Sequence, residues 1–142
     1  REDAEEITQD VFMKIHRHLR DFQFQSSLST WVYRITVNST LNHIKKESQK
    51  KKNVPYIDDV SAQAQEPSLG QQEYQEKLIS DMLASLNPEQ RTVIVLRGME
   101  GLSYEEIAQT LQIPINTVRS RIKRARETML ALKKEVTQSE LQ

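Results

Sequence analysis

The chain has 142 residues, 37% of them hydrophobic and 28% charged, and a formal net charge of zero, which suits one medium domain or two small ones. Only three glycines and four prolines interrupt it, so the composition favours helices over short strands and predicts an all-α fold. The absence of cysteine excludes disulfides and thiolate metal sites. The first residues are charged, and no apolar run reaches about 18 residues, so we predict a cytoplasmic protein with no membrane contact of its own.

The neutral total hides an uneven distribution of charge along the chain. Residues 1–52 carry ten Lys or Arg against seven Asp or Glu, residues 53–85 carry one against six, and residues 86–142 carry nine against seven. The middle segment is also rich in glutamine and contains prolines, a composition typical of a linker that does not fold by itself.

This pattern predicts two small helical domains joined by a flexible acidic linker. We place the first domain at 1–52, the linker at 53–75, the second domain at 76–136 and a short tail at 137–142.

The first domain opens with EDAEEITQDVFMKIHRHLRDF, which has the apolar spacing of an amphipathic helix. Its predicted inward residues are Ile7, Val11, Ile15 and Leu19. Acidic and amide side chains stay on the more polar sides, and they include Glu6, Gln9 and Asp10.

After the loop FQSSLS, the segment TWVYRITVNSTLNHIKK predicts a second helix with two distinct sides. One stripe contains Trp31, Arg34, Asn38, Asn42 and Lys45. An aromatic ring beside amides and cations suits unpaired nucleic-acid bases, which stack on rings and offer their edges to amides. A tryptophan at helical spacing is also typical of a packed core, and the residues alone leave both interpretations open.

The second domain contains the signals of two short helices separated by a tight turn. Asn87 and Pro88 predict the start of one helix, and Ser103 with Glu106 has the spacing of a capping box at the start of the next. The short turn QIP then leads into a third helix, so the last two predict a helix-turn-helix motif.

The last helix, which begins in PINTVRSRIKRAR, separates apolar from basic residues. At about 100° per residue, Val118, Ile122 and Ala125 fall on one side. Lys123 lies opposite them, and Arg121 lies near the edge of the apolar side, where its head can reach a phosphate. A solvated charged face is the simplest explanation of a basic helix. The preceding capped helix and tight turn favour duplex DNA binding instead.

Other function classes fit the residues less well. His16 and His18 lie on different helix faces and His43 stands alone, and no nucleophile–base pair or phosphate-binding glycine loop is present. We therefore predict no enzyme activity, no cofactor and no metal site. A helix-turn-helix regulator that acts without polymerase remains the alternative, although it leaves the first domain without a role.

The motifs together resemble the extracytoplasmic-function (ECF, group IV) sigma factors of bacterial RNA polymerase, within the sigma-70 superfamily. DAEEITQDVF resembles region 2.2 of that family, F…STWVYRITVN…LNHIKK resembles regions 2.3 and 2.4, and LNPEQRTVIVLRGMEGLSYEEIAQTLQIPINTVRSRIKRAR resembles regions 4.1 and 4.2. Family members begin with a further helix, region 2.1, which this sequence lacks. The family also often has Asp where this chain has Asn42.

The resemblance implies three groups of binding residues. The surface that docks on core polymerase corresponds to Glu6, Gln9 and Asp10. The part that captures a flipped base of the promoter −10 element, with its phosphate contacts, corresponds to the loop at residues 23–29 and to Phe22, Gln23, Gln25, Arg34, Asn38, Lys45 and Lys46. The surface that reads the bases or contacts the phosphates of the −35 element corresponds to Arg97, Tyr104, Asn116, Thr117, Arg119, Ser120, Arg121, Lys123 and Arg124.

The resemblance also implies partners and a mechanism. The expected partners are core RNA polymerase, promoter DNA and an anti-sigma factor that covers the same surfaces. The acidic linker resembles segments that thread toward the RNA exit path of the polymerase, where negative charge imitates nucleic acid.

Overall fold

The structure is a computed structural model that describes residues 2–52 and 70–140. Every regular element in these two stretches is helical, which confirms the predicted all-α fold. By their contacts the helices group into two compact units. The first unit contains α1 (Glu2–His18), α2 (Leu28–Lys52) and α5 (Tyr104–Leu111), and the second contains α3 (Gln71–Ala84), α4 (Pro88–Gly98) and α6 (Ile115–Glu140).

Two helices of the first unit, α1 and α2, are antiparallel neighbours joined by a short 3-10 turn and a loop. Acidic residues occupy the first turn of α1 and basic residues its last turn, which matches the sign of the helix dipole. Val11 of α1 is buried together with Thr30 and Ser39 of α2. The polar members of this small core are satisfied locally: Ser27 accepts a hydrogen bond from the Thr30 amide, and Lys14 donates to Ser39.

Leu19 does not point inward, as the helical spacing predicted. Its side chain is 51% exposed. The α-helix ends at His18, and residues Leu19–Asp21 form a 3-10 turn. Because a 3-10 turn advances by about 120° per residue instead of about 100°, the register of the apolar stripe is lost there.

The caps predicted in the second half of the chain are present. The Asn87 side chain accepts from the amide of Gln90 at 2.8 Å, with Pro88 in the first turn of α4. Ser103 and Glu106 form the predicted capping box of α5, with distances of 3.1 and 2.6 Å. Each cap satisfies amides that the first turn of a helix leaves without partners.

Two helices extend beyond the domain boundaries drawn from the sequence. The first, α3, begins at Gln71, inside the predicted linker, and the Glu73 carboxylate accepts a hydrogen bond from the Gly70 amide at its start. The other, α6, continues through the predicted tail to Glu140. Propensity explains both, because the added residues are mostly Gln, Glu and other good or neutral helix formers. The linker's remaining residues, 53–69, lie outside the described residues, and the domain division itself stays a prediction.

In the second unit the apolar side chains of α4 and α6 form the core. Val93 and Leu96 of α4 are buried, and so are Val118, Ile122 and Ala125 of α6. The three buried residues of α6 are those that the helical periodicity predicted as inward. Leu86, just before α4, is buried as well.

Candidate nucleic-acid interface

The rotation of α6 about its axis is fixed by its buried side. Val118 and Ala125 have no exposed surface and Ile122 is 1% exposed. The opposite side is solvent-exposed and basic, and we call it the basic face of α6: Asn116, Arg119, Ser120, Lys123, Arg124 and Arg126. A helix of this width and charge suits the major groove of duplex DNA.

Two contacts organise the start of this face. Arg119 donates to the side-chain oxygen of Asn116 at 3.0 Å, and the Ser120 hydroxyl donates to the Asn116 carbonyl at 2.9 Å. Thr117 is half-buried at its edge. The first two turns therefore present a pre-ordered set of polar side chains, which lowers the entropy that these side chains lose on binding.

Arg121 has a different environment from its basic neighbours. Its guanidinium lies 3.1 Å from the carboxylate of Glu89 on α4, and its side chain is only 26% exposed. The sequence placed Arg121 at the core edge, which is correct. The sequence did not predict its contact with Glu89, which lies 32 positions earlier on another helix.

Two further residues predicted for the −35 surface occupy the ends of short helices. Arg97, exposed at the end of α4, donates to the carbonyl of Leu102 at 2.9 Å. That contact closes the turn after the helix. Tyr104 is the first residue of α5 in the other unit and is half-buried.

Two aromatic rings of the loop between α1 and α2 and one of the first turn of α2 contact one another. Phe22 lies between the other two, with ring centroids 5.3 Å from Trp31 and 4.8 Å from Phe24, and both pairs are tilted. Trp31 and Phe22 are half-buried, whereas Phe24 is 85% exposed. The predicted residues Gln23 and Gln25 flank Phe24, and their side-chain amides are 3.3 Å apart. Phe24 lies within the loop at residues 23–29 that the resemblance implied for this site.

The stripe predicted on α2 is divided by its surroundings. Asn38 and Lys45 are exposed and available to a ligand. Arg34 is half-buried and donates to the carbonyl oxygens of Gln109 and Thr110 at 2.6 and 3.4 Å. These carbonyls belong to the last turn of α5, where the helix leaves acceptors without intrahelical partners, so the guanidinium acts as a cap.

A groove of about 1020 Å³ between α1 and α2 brings two predicted surfaces together. Glu6 and Asp10, predicted for polymerase binding, line it from α1, and Lys45 and Lys46, predicted for DNA phosphates, line it from α2. Gln9 is exposed on α1 and is not among its lining residues. The groove thus has both signs of charge.

Lys14 links the two sides of this groove. It donates to the Asp10 carboxylate at 2.6 Å and to the Ser39 hydroxyl at 2.8 Å. The hydrogen bond from Lys14 lowers the pKa of Asp10 below its ordinary value of 3.8, and a weaker bond from Ser39 and the charge of Lys46 act in the same direction. Asp10 is therefore a fixed anion at neutral pH.

The three histidines do not form a site. The described part of the chain contains no group of three or more His, Cys, Asp or Glu side chains that could hold a metal ion. Within residues 2–52 and 70–140, no helix has the length and apolar character needed to cross a membrane.

Comparison with known proteins accounts for both halves of the chain. Residues 1–50 match the family described as Sigma-70 region 2, and residues 76–129 match Sigma-70, region 4. The ECF RNA polymerase sigma-E factor of Haemophilus influenzae is 34% identical over 137 residues, covering 89% of this chain and 72% of the relative. The RNA polymerase sigma-H factor of Pseudomonas aeruginosa is 34% identical over 142 residues, covering 90% and 72%.

A solved structure shows the same fold. The sigma factor RpoE of Bartonella quintana, in complex with the anti-sigma factor NepR, superposes with a TM-score of 0.69 at 30% identity. The superposition covers 94% of this chain and 82% of the other. With two matched sigma-70 regions in order and relatives at this level of identity, the chain belongs to the ECF sigma factors of the sigma-70 family.

Proposed function

We propose that this chain binds bacterial core RNA polymerase in the cytoplasm and directs initiation to promoters by reading the −35 element as duplex and the −10 element as melted DNA. It acts by binding and not by catalysis. The observation that carries this proposal is the basic face of α6, which the buried residues Val118, Ile122 and Ala125 hold outward.

Base reading at the −35 element is assigned to the exposed part of that face. Lys123 is exposed on the side opposite Val118 and Ile122, so its ammonium group can reach base edges in a major groove. Arg121 lies at the edge of the buried side of α6 and contacts Glu89. We therefore assign it to the DNA backbone and not to base edges. Backbone contacts fix the position of a protein on DNA, and base contacts supply the specificity.

Capture of the melted −10 element is assigned to the loop after α1 and to α2. Phe22, packed on Trp31, offers an aromatic surface, and Asn38 is an exposed amide on the helix that follows. Aromatic stacking and amide hydrogen bonds together offset the cost of extruding a base from the duplex.

Polymerase docking is assigned to the exposed polar residues of α1, namely Glu6, Gln9 and Asp10. Because the structural relative from Bartonella quintana is bound to an anti-sigma factor, we include such a protein among the partners of this chain.

The experiment that tests the proposal is a selection over randomised −35 and −10 elements with reconstituted holoenzyme. Lys123→Gln is expected to shift the preferred −35 bases, since an amide reads adenine where a cation favours guanine. Arg121→Gln is expected to weaken binding to all −35 sequences alike. It is also expected to reduce the slope of log affinity against log salt concentration by about one. The −10 preference stays unchanged in both variants.

Lys134→Gln is the matched control, because it removes the same charge from an exposed position of the same helix. It leaves the −35 preference unchanged. If Arg121→Gln shifts the −35 preference and Lys123→Gln does not, the assignment of reading and holding roles is wrong. If purified chain binds −35 duplex tightly without polymerase and holoenzyme does not initiate, the alternative of an independent helix-turn-helix regulator is correct.

A further inference from the structure

Asn116 and Arg119 form a side-chain pair at the start of the basic face of α6. Nη1 of Arg119 donates to Oδ1 of Asn116 at 3.0 Å, across one turn of the helix. Both residues are exposed. Val118, which lies between them in sequence, has no exposed surface. The burial of Val118 fixes the rotation of the helix, so the pair is held on the side that faces away from the core.

The chemistry of the two groups determines how the amide of Asn116 is oriented. A guanidinium carries N–H donors and no acceptor, so an amide can bind it only through its oxygen. With Oδ1 directed at Arg119, the amide offers its N–H groups to a ligand. The positive charge beside Oδ1 also disfavours the approach of a further donor to that oxygen. The pair as a whole therefore presents donors and positive charge.

Arg119 keeps one edge for a base while it is bound to Asn116. The bond to Asn116 uses Nη1, so the edge formed by Nε and Nη2 is not part of it. Two parallel N–H groups match the acceptors O6 and N7, which guanine presents side by side in the major groove. Adenine presents a donor, its N6 amino group, beside N7. A surface of donors therefore favours guanine and opposes adenine.

We propose that Asn116 is a positioning residue whose amide oxygen holds Arg119 toward one guanine of the −35 element, so that the pair discriminates against adenine. This proposal rests on the proposed function of the basic face, and it adds a determinant of base choice. An arginine already held by a neighbour loses less rotamer freedom when it binds. Asparagine alone reads adenine, with its oxygen and nitrogen together, so Arg119 decides which base Asn116 favours.

The test is a selection over randomised −35 elements with reconstituted holoenzyme. Arg119→Met is expected to lower the preference for guanine at one position about tenfold, a typical loss for one bidentate contact. It also raises the preference for adenine at that position or its neighbour, because the oxygen of Asn116 is released. Asn116→Ala, with Arg119 intact, lowers the guanine preference about fivefold, the effect of leaving one long side chain to be ordered on binding.

Three further variants separate positioning from folding and from charge. Asn116→Asp keeps an oxygen for Arg119, so it retains the guanine preference although its negative charge weakens binding to every sequence. Arg126→Met is the matched control, because it removes an exposed arginine further along α6; it weakens binding to all −35 sequences alike and shifts no preference. The double variant of Asn116→Ala and Arg119→Met loses the gain in adenine. Every variant keeps the Tm of the unaltered chain within a few degrees, since the positions are exposed.

The contrary outcomes are distinct. If Asn116→Asp loses the guanine preference as fully as Asn116→Ala, the oxygen does not position Arg119 and the inference is wrong. If Arg119→Met produces no gain in adenine, Asn116 is not held away from that base by Arg119, and the inference is again wrong. If the holoenzyme selects −35 bases but none of these variants changes the selection, the inference fails while −35 reading stands. If the unaltered holoenzyme selects no −35 sequence, the proposed function is itself wrong.

Discussion

Asp10 shows how a single exposed carboxylate can serve both the fold and a surface. It accepts from Lys14 on its own helix, and Lys14 also donates to Ser39 on α2. The same carboxylate is one of the residues proposed to contact polymerase. A substitution at Asp10 therefore affects both the contact between α1 and α2 and the proposed polymerase surface. A substitution at Gln9, which is exposed beside it, affects only that surface.

We expect the pKa of the Asp10 carboxyl group to lie below 3.8, chiefly because of the hydrogen bond from Lys14. A lowered folded-state pKa stabilises the protein above the unfolded value, and this contribution is lost as the pH falls through the folded value. Carbon NMR titration of the side-chain carboxyl group measures it. Lys14→Met returns the pKa toward 3.8, while Lys46→Met, which removes a more distant charge, produces a smaller rise. Equal shifts in the two variants would contradict the hydrogen-bond explanation.

At the scale of the helix, the caps are the local features with the clearest energetic role. Ser103 accepts from the amide of Glu106 at 3.1 Å, while the Glu106 carboxylate accepts from the Ser103 amide at 2.6 Å. The helix they begin, α5, has only eight residues. A helix this short is unstable alone in water, so its caps matter more than those of a long helix.

Ser103→Ala is expected to lower the free energy of unfolding by ~1 kcal/mol, since it removes one partner of a first-turn amide. Urea unfolding followed by circular dichroism measures the change. Thr128→Ala is the control, because its hydroxyl bonds to the carbonyl of Arg124 within α6. Alanine is the better helix former there, so this variant is neutral or slightly stabilising. A loss in Thr128→Ala equal to that in Ser103→Ala would show that capping is not the cause.

The elements differ in how well their sequences predicted them. The inward residues of α6 were predicted from helical spacing, because the helix is long and its apolar residues recur regularly. The prediction that Leu19 lies inward was wrong because a 3-10 turn interrupts the helical periodicity there. Contacts such as Arg121 with Glu89, and Arg34 with the end of α5, join residues far apart in sequence. No local pattern encodes them.

The exposure of the proposed site residues was predictable to the same extent as their helices. The basic face of α6 follows from spacing alone, and most of its predicted residues are exposed. The left-handed backbone and the high exposure of Phe24 were not predicted. Neither can be read from the residue type, and a lone phenylalanine in a polar loop has no periodic context.

For the whole molecule, the segregation of charge matters more than its neutral sum. The acids at positions 58, 59 and 66 lie in the predicted linker, outside the described residues, and both flanking segments are net positive. Negative charge on the same chain reduces attraction to DNA phosphates at distances within a Debye length of about 8–10 Å.

Neutralising these acids with Asp58→Asn, Asp59→Asn and Glu66→Gln changes the formal net charge from zero to +3. We expect the affinity of the free chain for non-specific duplex to rise at low salt and the difference to disappear at high salt. Fluorescence anisotropy with a promoter-free duplex at several salt concentrations measures both. An affinity gain that persists at high salt would point to a direct contact by the new amides instead of a change in charge.

The burial pattern of α6 has a consequence for how this protein can diverge. Val118, Ile122 and Ala125 hold the helix in place, and they are different residues from those proposed to face the DNA. Positions 119, 120 and 123 are exposed, so most substitutions there leave stability nearly unchanged. Duplicated copies of such a gene could therefore acquire new promoter targets without passing through unfolded intermediates. Under the proposed function, changes at these exposed positions alter promoter choice while the scaffold stays the same.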